Sequence, residues 1–138
     1  MNEVIVTSLD RKFKKIENEI RELALKILKT FKKQGIYLEI YLVDPQKMQF
    51  LNKKYRKKDK ASEILSFKDP KKFIYPKSRN KRIGEIYLNG EKFINYDSAI
   101  KVFLLIHGIL HLFGYQHNQK SDRIKMERLE NKIFSKLI

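Results

Sequence analysis

Apolar positions change their spacing several times along the chain, and each change marks an element. Residues 3–7 (EVIVT) form a short β-branched run and predict a strand. From residue 8 to about 33 the period lengthens. Leu9, Phe13, Ile16, Ile20, Leu23, Ile27 and Leu28 then share one face of a helix, which Gly35 closes. Residues 36–43 (IYLEIYLV) carry β-branched and aromatic side chains and predict a second strand. Asp44-Pro45 reads as a helix cap followed by proline at the first helical position, opening a helix that runs through Phe50 and Leu51 to about Tyr55.

Residues 56–60 are basic and read as a loop, and a strand follows at 63–67. Residues 69–82 are polar and lysine-rich, with Pro70 and Pro76, and predict a mobile loop. Residues 83–89 (IGEIYLN) form another strand, closed by the Asn89-Gly90 turn signal. Asp97 caps a strongly apolar helix over 98–113 that Gly114 terminates. Ser121 or Asp122 caps the last helix, with an apolar stripe of Ile124, Leu129, Ile133 and Leu137. The sum is about four strands and four helices in an α+β fold, a sandwich-like α/β arrangement. The 138 residues suit one domain with a single core.

Composition narrows the chemistry. With no cysteine, disulfides, thiolate metal sites and cysteine nucleophiles are excluded. No apolar run reaches the length of a membrane span, and residues 1–7 lack the features of a signal peptide, so a cytoplasmic setting is expected. The net charge is +15, from 31 Lys and Arg against 16 Asp and Glu. A uniform lysine bias would produce that excess with no partner implied. The distribution argues otherwise: between Lys53 and Arg82 there are thirteen Lys or Arg and three acidic residues. A basic patch of that density attracts polyanions such as nucleic acid.

All three histidines fall within residues 107–117, HGILHLFGYQH. His107 and His111 are four apart on a helix, so their imidazoles project from one face a turn apart. That spacing allows both to reach one zinc ion at about 2.0–2.1 Å. Gly114 can take the left-handed conformation that reverses the chain and brings back His117 as a third ligand. Three protein ligands with a place left for water describe a catalytic zinc site better than a structural one. The competing reading is a pair of core histidines bonded to backbone carbonyls, with His117 in a surface turn. It leaves the third histidine unexplained. Where zinc proteases carry a general-base glutamate in H-E-x-x-H, this chain has Gly108, so metal binding survives but the protease proton shuttle is missing.

The segment 107–117 resembles the H-G-x-L-H-L-x-G-Y-D-H signature of the YbeY endoribonucleases, the rRNA maturation factors. Residues 51–67 (LNKKYRKKDKASEILSF) are similar to that family's L-N-x-x-Y-R-x-x-D-x-x-T-D-V-L-S-F, and residues 83–88 (IGEIYL) to its L-G-D-I-x-I. The blocks stand in the family's order, and the resemblance runs from the second strand to Met126-Glu127. Gln116 replaces the usual aspartate before the third histidine, Glu63 and Glu85 replace aspartates, and Ser62 replaces threonine. None of these changes removes a metal ligand.

The resemblance implies a single YbeY-like domain over residues 1–138, with a small mixed sheet of about four strands packed with helices, like the zincin metalloproteases. It implies a zinc-dependent endoribonuclease acting on single strands, with one Zn2+ per chain held by His107, His111 and His117. Three imidazoles also suit other divalent transition metals. The implied partners are rRNA and the small ribosomal subunit, the implied tasks 16S rRNA 3′-end maturation and ribosome quality control, and no membrane is involved. Arg56 matches the family's arginine at the RNA site, and Arg56 and His111 are the expected catalytic residues. Lys53, Lys54, Arg56, Lys57, Lys58 and Lys60 are the expected RNA contacts, with Tyr55, Phe73 and Tyr75 as candidates for base stacking. Asp59 and Glu85 are candidate acid–base groups that nothing in the sequence brings to the metal. Two other readings remain: a ribosome-binding assembly factor with a mainly structural metal, and a metallopeptidase, which Gly108 and the basic patch disfavour.

Overall fold

Strand β1 (Glu3–Ser8) lies parallel to β2 (Ile36–Val43), and β2 lies parallel to β4 (Lys81–Asn89). Strand β3 (Ile64–Lys68) is antiparallel to β4 and completes a mixed sheet of order β1-β2-β4-β3, with β3 at an edge. The computed structural model describes residues 1–57, 62–69 and 80–138. The expected loop over 69–82, with Phe73 and Tyr75, therefore falls largely outside the described residues, as do Lys58, Asp59 and Lys60.

Alternation decides which face each strand residue joins. Leu38, Ile40 and Leu42 of β2 and Ile86 and Leu88 of β4 are fully buried. They meet the helices α1 (Glu17–Thr30), α4 (Ser98–Leu112) and α5 (Lys120–Leu137) in the main core. The opposite face is partly covered by α2 (Pro45–Arg56), whose Met48 and Leu51 pack with Val43 and Leu65 and border Tyr41, Phe67 and Tyr87. A mixed sheet between unequal helical layers is the α+β architecture expected from the sequence.

Several boundaries differ from the expectation, each for a local reason. The first helix does not begin at residue 8, because the chain is still pairing there: Leu9 N–H donates to Leu42 O at 2.9 Å. Asp10 then caps a short 3-10 helix, Arg11–Ile16, in which Phe13 and Ile16, three apart, both turn inward, before α1 starts. Asn89-Gly90 is not a hairpin turn. Asn89 caps a fifth helix, α3 (Gly90–Asn95), accepting from Lys92 N–H at 3.3 Å. Arg56 belongs to the last turn of α2, which ends at Lys57 in the left-handed region (φ 57°). Helix α5 is preceded by Gln119, with no side-chain cap, and takes Ser121 and Asp122 into its first turn, where Asp122 favours the helix dipole. Its buried stripe is Met126, Glu130 and Ile133, with Leu129 and Leu137 packed beside it, whereas Ile124 is exposed. Helix α4 is not buried all round either: Ile100 and Phe103 reach solvent.

Candidate metal centre and its cleft

Helix α4 starts at Asp97, whose Oδ1 accepts from Ile100 N–H at 3.0 Å, and its apolar face is driven into the main core. His107 and His111 sit one turn apart near its C-terminal end. Gly114 (φ +95°) then takes a conformation that side chains resist, and Tyr115 N–H closes back on Leu110 O at 3.1 Å. The reversal brings His117 over the helix end. One nitrogen from each histidine lies within 4.8 Å of the other two. His107 and His111 are half-buried and His117 is exposed.

Hydrogen bonds fix the two helical imidazoles. His111 Nδ1 lies 2.9 Å from the Tyr115 carbonyl, which can only accept, so Nδ1 carries the hydrogen and Nε2 the lone pair. His107 Nδ1 donates to Glu130 Oε2 at 3.2 Å from the buried face of α5. Both Nε2 atoms are thereby turned toward each other, 3.0 Å apart. Two facing lone pairs repel, and a cation shared between them removes the repulsion. Nitrogens about 2.0–2.1 Å from one tetrahedral ion stand about 3.3 Å apart, so this pair needs an adjustment of only a few tenths of an ångström. A carboxylate or carbonyl behind each ligating imidazole is the usual support of such a ligand. The donor set fits a divalent transition-metal ion. Burial, followed by the neighbouring His107 and His117, lowers the pKa of His111 to about 4, so it is neutral and ready to ligate near pH 7.

The cluster opens onto a cleft of about 520 Å³. Along one wall run Ser62 and Glu63 and the first residues of β3, Ile64 to Ser66. Across from it stand His107, Gly108 and His111, with Asn52 and Arg56 from α2 and Lys92 from α3. Arg56 Nη2 donates to Ser66 O at 3.1 Å, which holds the guanidinium against the strand, and its charge is felt at His111. Gly108 explains how the wall comes so close. A Cβ there would lie 2.6 Å from Ile64 Cδ1 and 3.1 Å from Ser66 Oγ, and Ser66 Oγ donates to Gly108 O at 3.0 Å.

Of the residues singled out from the sequence, the structure brings together His107, His111, His117 and Arg56. Lys53, Lys54 and Lys57 are exposed on α2 and its cap and do not line the cleft. Lys54 Nζ sits 5.3 Å over the Tyr55 ring, and Tyr55 itself is exposed with its edge on Phe67. Glu85 faces away from α4. It accepts from Arg82 and from the Tyr87 hydroxyl, both at 3.2 Å, and burial together with the Glu85 charge pushes Tyr87 up to about 12. It cannot serve the histidine cluster as a proton carrier.

The sequence reading missed Glu130, Lys92 and the setting of Glu63. Glu130 had a signal, since it is the charged residue on the buried stripe of α5. Lys92 had none, because α3 itself was read as a turn. Glu63 lines the cleft with Oε1 accepting from the Tyr96 hydroxyl at 2.7 Å, and burial and that bond push Tyr96 up to about 12.

Comparison with known proteins agrees with this frame. The family model described as endoribonuclease YbeY matches residues 5–138. Endoribonuclease YbeY of Aquifex aeolicus is 32% identical, over 99% of this chain and 92% of its own. The Mycoplasma mobile protein of that name is 34% identical over 90% and 84%, and that of Thermodesulfovibrio yellowstonii 41% identical over 74% and 67%. The solution structure of TM1509 from Thermotoga maritima shares the fold, with a TM-score of 0.51 at 24% identity over 97% of this chain and 91% of that one. The chain belongs to the endoribonuclease YbeY family.

Proposed function

We propose that the protein is a metal-dependent endoribonuclease that cuts single-stranded RNA. The observation that carries this reading is a three-histidine cluster opening onto a cleft that also holds Arg56. His107, His111 and His117 would hold the ion, and zinc suits three neutral imidazoles. When bound, it would supply Lewis acidity at the scissile phosphate and lower the pKa of water toward neutrality. The remaining work falls to the chain. Arg56 presents a planar, permanently charged fork that complements two phosphate oxygens. Its anchor on Ser66 O limits the freedom lost when substrate binds. Glu130 and the Tyr115 carbonyl keep the imidazoles in the ligating tautomer. The basic surface of α2, with Lys53, Lys54 and Lys57, would draw in the RNA backbone without reading its sequence.

The activity for which the family is named supports the nuclease reading, and the net charge of +15 supports a polyanionic substrate. We extend it to 16S rRNA 3′-end maturation and ribosome quality control, with rRNA and the small ribosomal subunit as partners in the cytoplasm. No helix among the described residues is long and apolar enough to cross a membrane. A mainly structural metal is disfavoured because all three ligands come from residues 107–117, so an ion there would staple only a short loop.

The test uses highly purified protein on precursor 16S rRNA, with zinc added or chelated. Zinc-dependent cleavage is expected, lost in His111→Ala and in Arg56→Ala while both variants still unfold cooperatively. Variants that cut as well as the parent would refute the mechanism. Ribosome binding without cleavage would favour the assembly-factor reading.

A further inference from the structure

The free edge of β3 bears on how the RNA is held, an inference that rests on the nuclease reading above. Among the described residues, sheet order leaves β3 with one unpaired edge, and the cleft runs along it. Register determines which backbone groups point outward. Asn89 N–H donates to Glu63 O and Asp69 N–H to Ile83 O, each at 3.0 Å, with Leu65 opposite Tyr87 and Phe67 opposite Glu85 between them. Hydrogen-bonded pairs alternate in an antiparallel ladder. Glu63, Leu65, Phe67 and Asp69 therefore turn their backbone toward β4, and Ile64 and Ser66 turn theirs toward the open side.

The two outward carbonyls that line the cleft are already occupied. Ile64 O accepts from Ser62 Oγ at 3.0 Å, and Ser66 O accepts from Arg56 at 3.1 Å. The outward N–H groups of Ile64 and Ser66 have no partner among the described residues. An ordinary free edge offers donors and acceptors in alternation, and an added peptide strand needs both. Where it lines the cleft, from Ile64 to Ser66, this edge offers donors only, with a guanidinium beside them. A ligand made solely of acceptors fits it, and an extended peptide does not.

We propose that the Ile64 and Ser66 amides, with Arg56, form a phosphate-binding rail along which the RNA strand is laid beside the histidines. The two amides are about 6.6 Å apart, two residue rises along a strand. That separation suits neighbouring phosphates of an extended chain better than two oxygens of one phosphate. Ser66 N–H and Arg56 take the phosphate nearer α2, and Ile64 N–H takes its neighbour.

The experiment follows backbone amide and arginine side-chain NMR signals of the full chain while a single-stranded RNA methylated at its 2′-oxygens, which resists cleavage, is added. The Ile64 and Ser66 amides should shift saturably together with Arg56. Ser66→Pro removes the outward N–H at an edge position where proline is tolerated, while Ser66→Ala controls for the lost hydroxyl. The proline variant should bind the RNA roughly tenfold or more weakly than the alanine variant. If Arg56 responds and the two amides do not, the rail is wrong and the nuclease reading stands. If no signal of the cleft responds, both fall. A valine-rich extended peptide that shifts the same amides more strongly than the RNA would also overturn the rail. Should the proline variant not fold, the amide shifts of the parent protein decide.

Discussion

Replacing Glu130 with glutamine tests the metal centre from its buried side. Glu130 is 4% exposed, and its Oε2 lies 3.2 Å from His107 Nδ1. Glutamine keeps the size and offers one oxygen to the same N–H, so the tautomer is preserved and only the charge is lost. With an ion held by the histidines, the carboxylate strengthens His107 as a donor and offsets the ion's charge. Its loss should weaken metal binding about 10–100-fold, which is about 1.4–2.7 kcal/mol. Without metal the same carboxylate is a buried charge, so the chelator-treated variant should be as stable as the parent or more so. A different account makes His107 and Glu130 a charged pair that clamps α4 to α5, with no metal involved. Breaking such a pair when fully buried costs about 3–5 kcal/mol. Here His107 is 31% exposed in its side chain, so solvent screens the pair and the cost would be smaller. Zinc competition against a chromophoric chelator measures the first quantity, and urea unfolding in the presence of excess chelator measures the second. Unchanged zinc affinity together with a loss of metal-free stability would refute the metal-centre reasoning.

Three further outcomes are expected. The folded-state pKa of His111 is lowered to about 4 from its ordinary value of 6.5, chiefly by burial, so the unfolded chain takes up that proton first as pH falls. The His111 contribution to metal-free stability is full above about pH 6.5 and is lost between there and about pH 4; urea midpoints at pH 7 and pH 5 should differ, and less so in His111→Asn. Gly108→Glu restores the protease-like spacing but drives a Cβ to 2.6 Å from Ile64 Cδ1, an overpacking of about 1–3 kcal/mol. The zinc-loaded variant should be destabilised and hydrolyse no peptide, and a stable variant with peptidase activity would contradict the packing account. Lys92→Ala should reduce the slope of log affinity against log salt for single-stranded RNA by about 0.7 with turnover unchanged; an unaltered slope would remove Lys92 from the RNA path.

The histidine cluster was legible because the spacing on a helix and the glycine after it are local facts. Four residues make one turn, and Gly114 reverses the chain whatever surrounds it. The strands were legible for the same reason, each carrying its own β-branched run. What could not be read is what depends on distant partners. Asn89-Gly90 is as good a hairpin signal as a helix cap, and only the packing of Gly90 against the Phe13 ring, where a Cβ would lie 2.6 Å away, shows why a helix starts there. The free amides of β3 are also non-local, because register with β4 decides which backbone groups point outward. Glu85 shows the converse. Its block matched the family pattern, yet alternation along β4 carries it to the face away from α4.

Ser66 links these points. Its hydroxyl holds the Gly108 carbonyl on the histidine helix, and its own carbonyl holds Arg56. The first contact exists because β3 lies close against α4, and it lies that close only because residue 108 has no side chain, whereas the second ties the same strand to α2. A glutamate at 108 would therefore press on Ile64 and Ser66, in the strand whose carbonyl anchors Arg56 beside the histidines. The absent carboxylate and the nearby guanidinium are one structural choice, and its electrostatic sense is plain. The position that would place a negative charge over the cluster is closed by packing, and the strand that closes it anchors the Arg56 guanidinium and turns two amides, unpaired among the described residues, to the same cleft. Such a site is shaped for an anionic ester bond before any ion is bound.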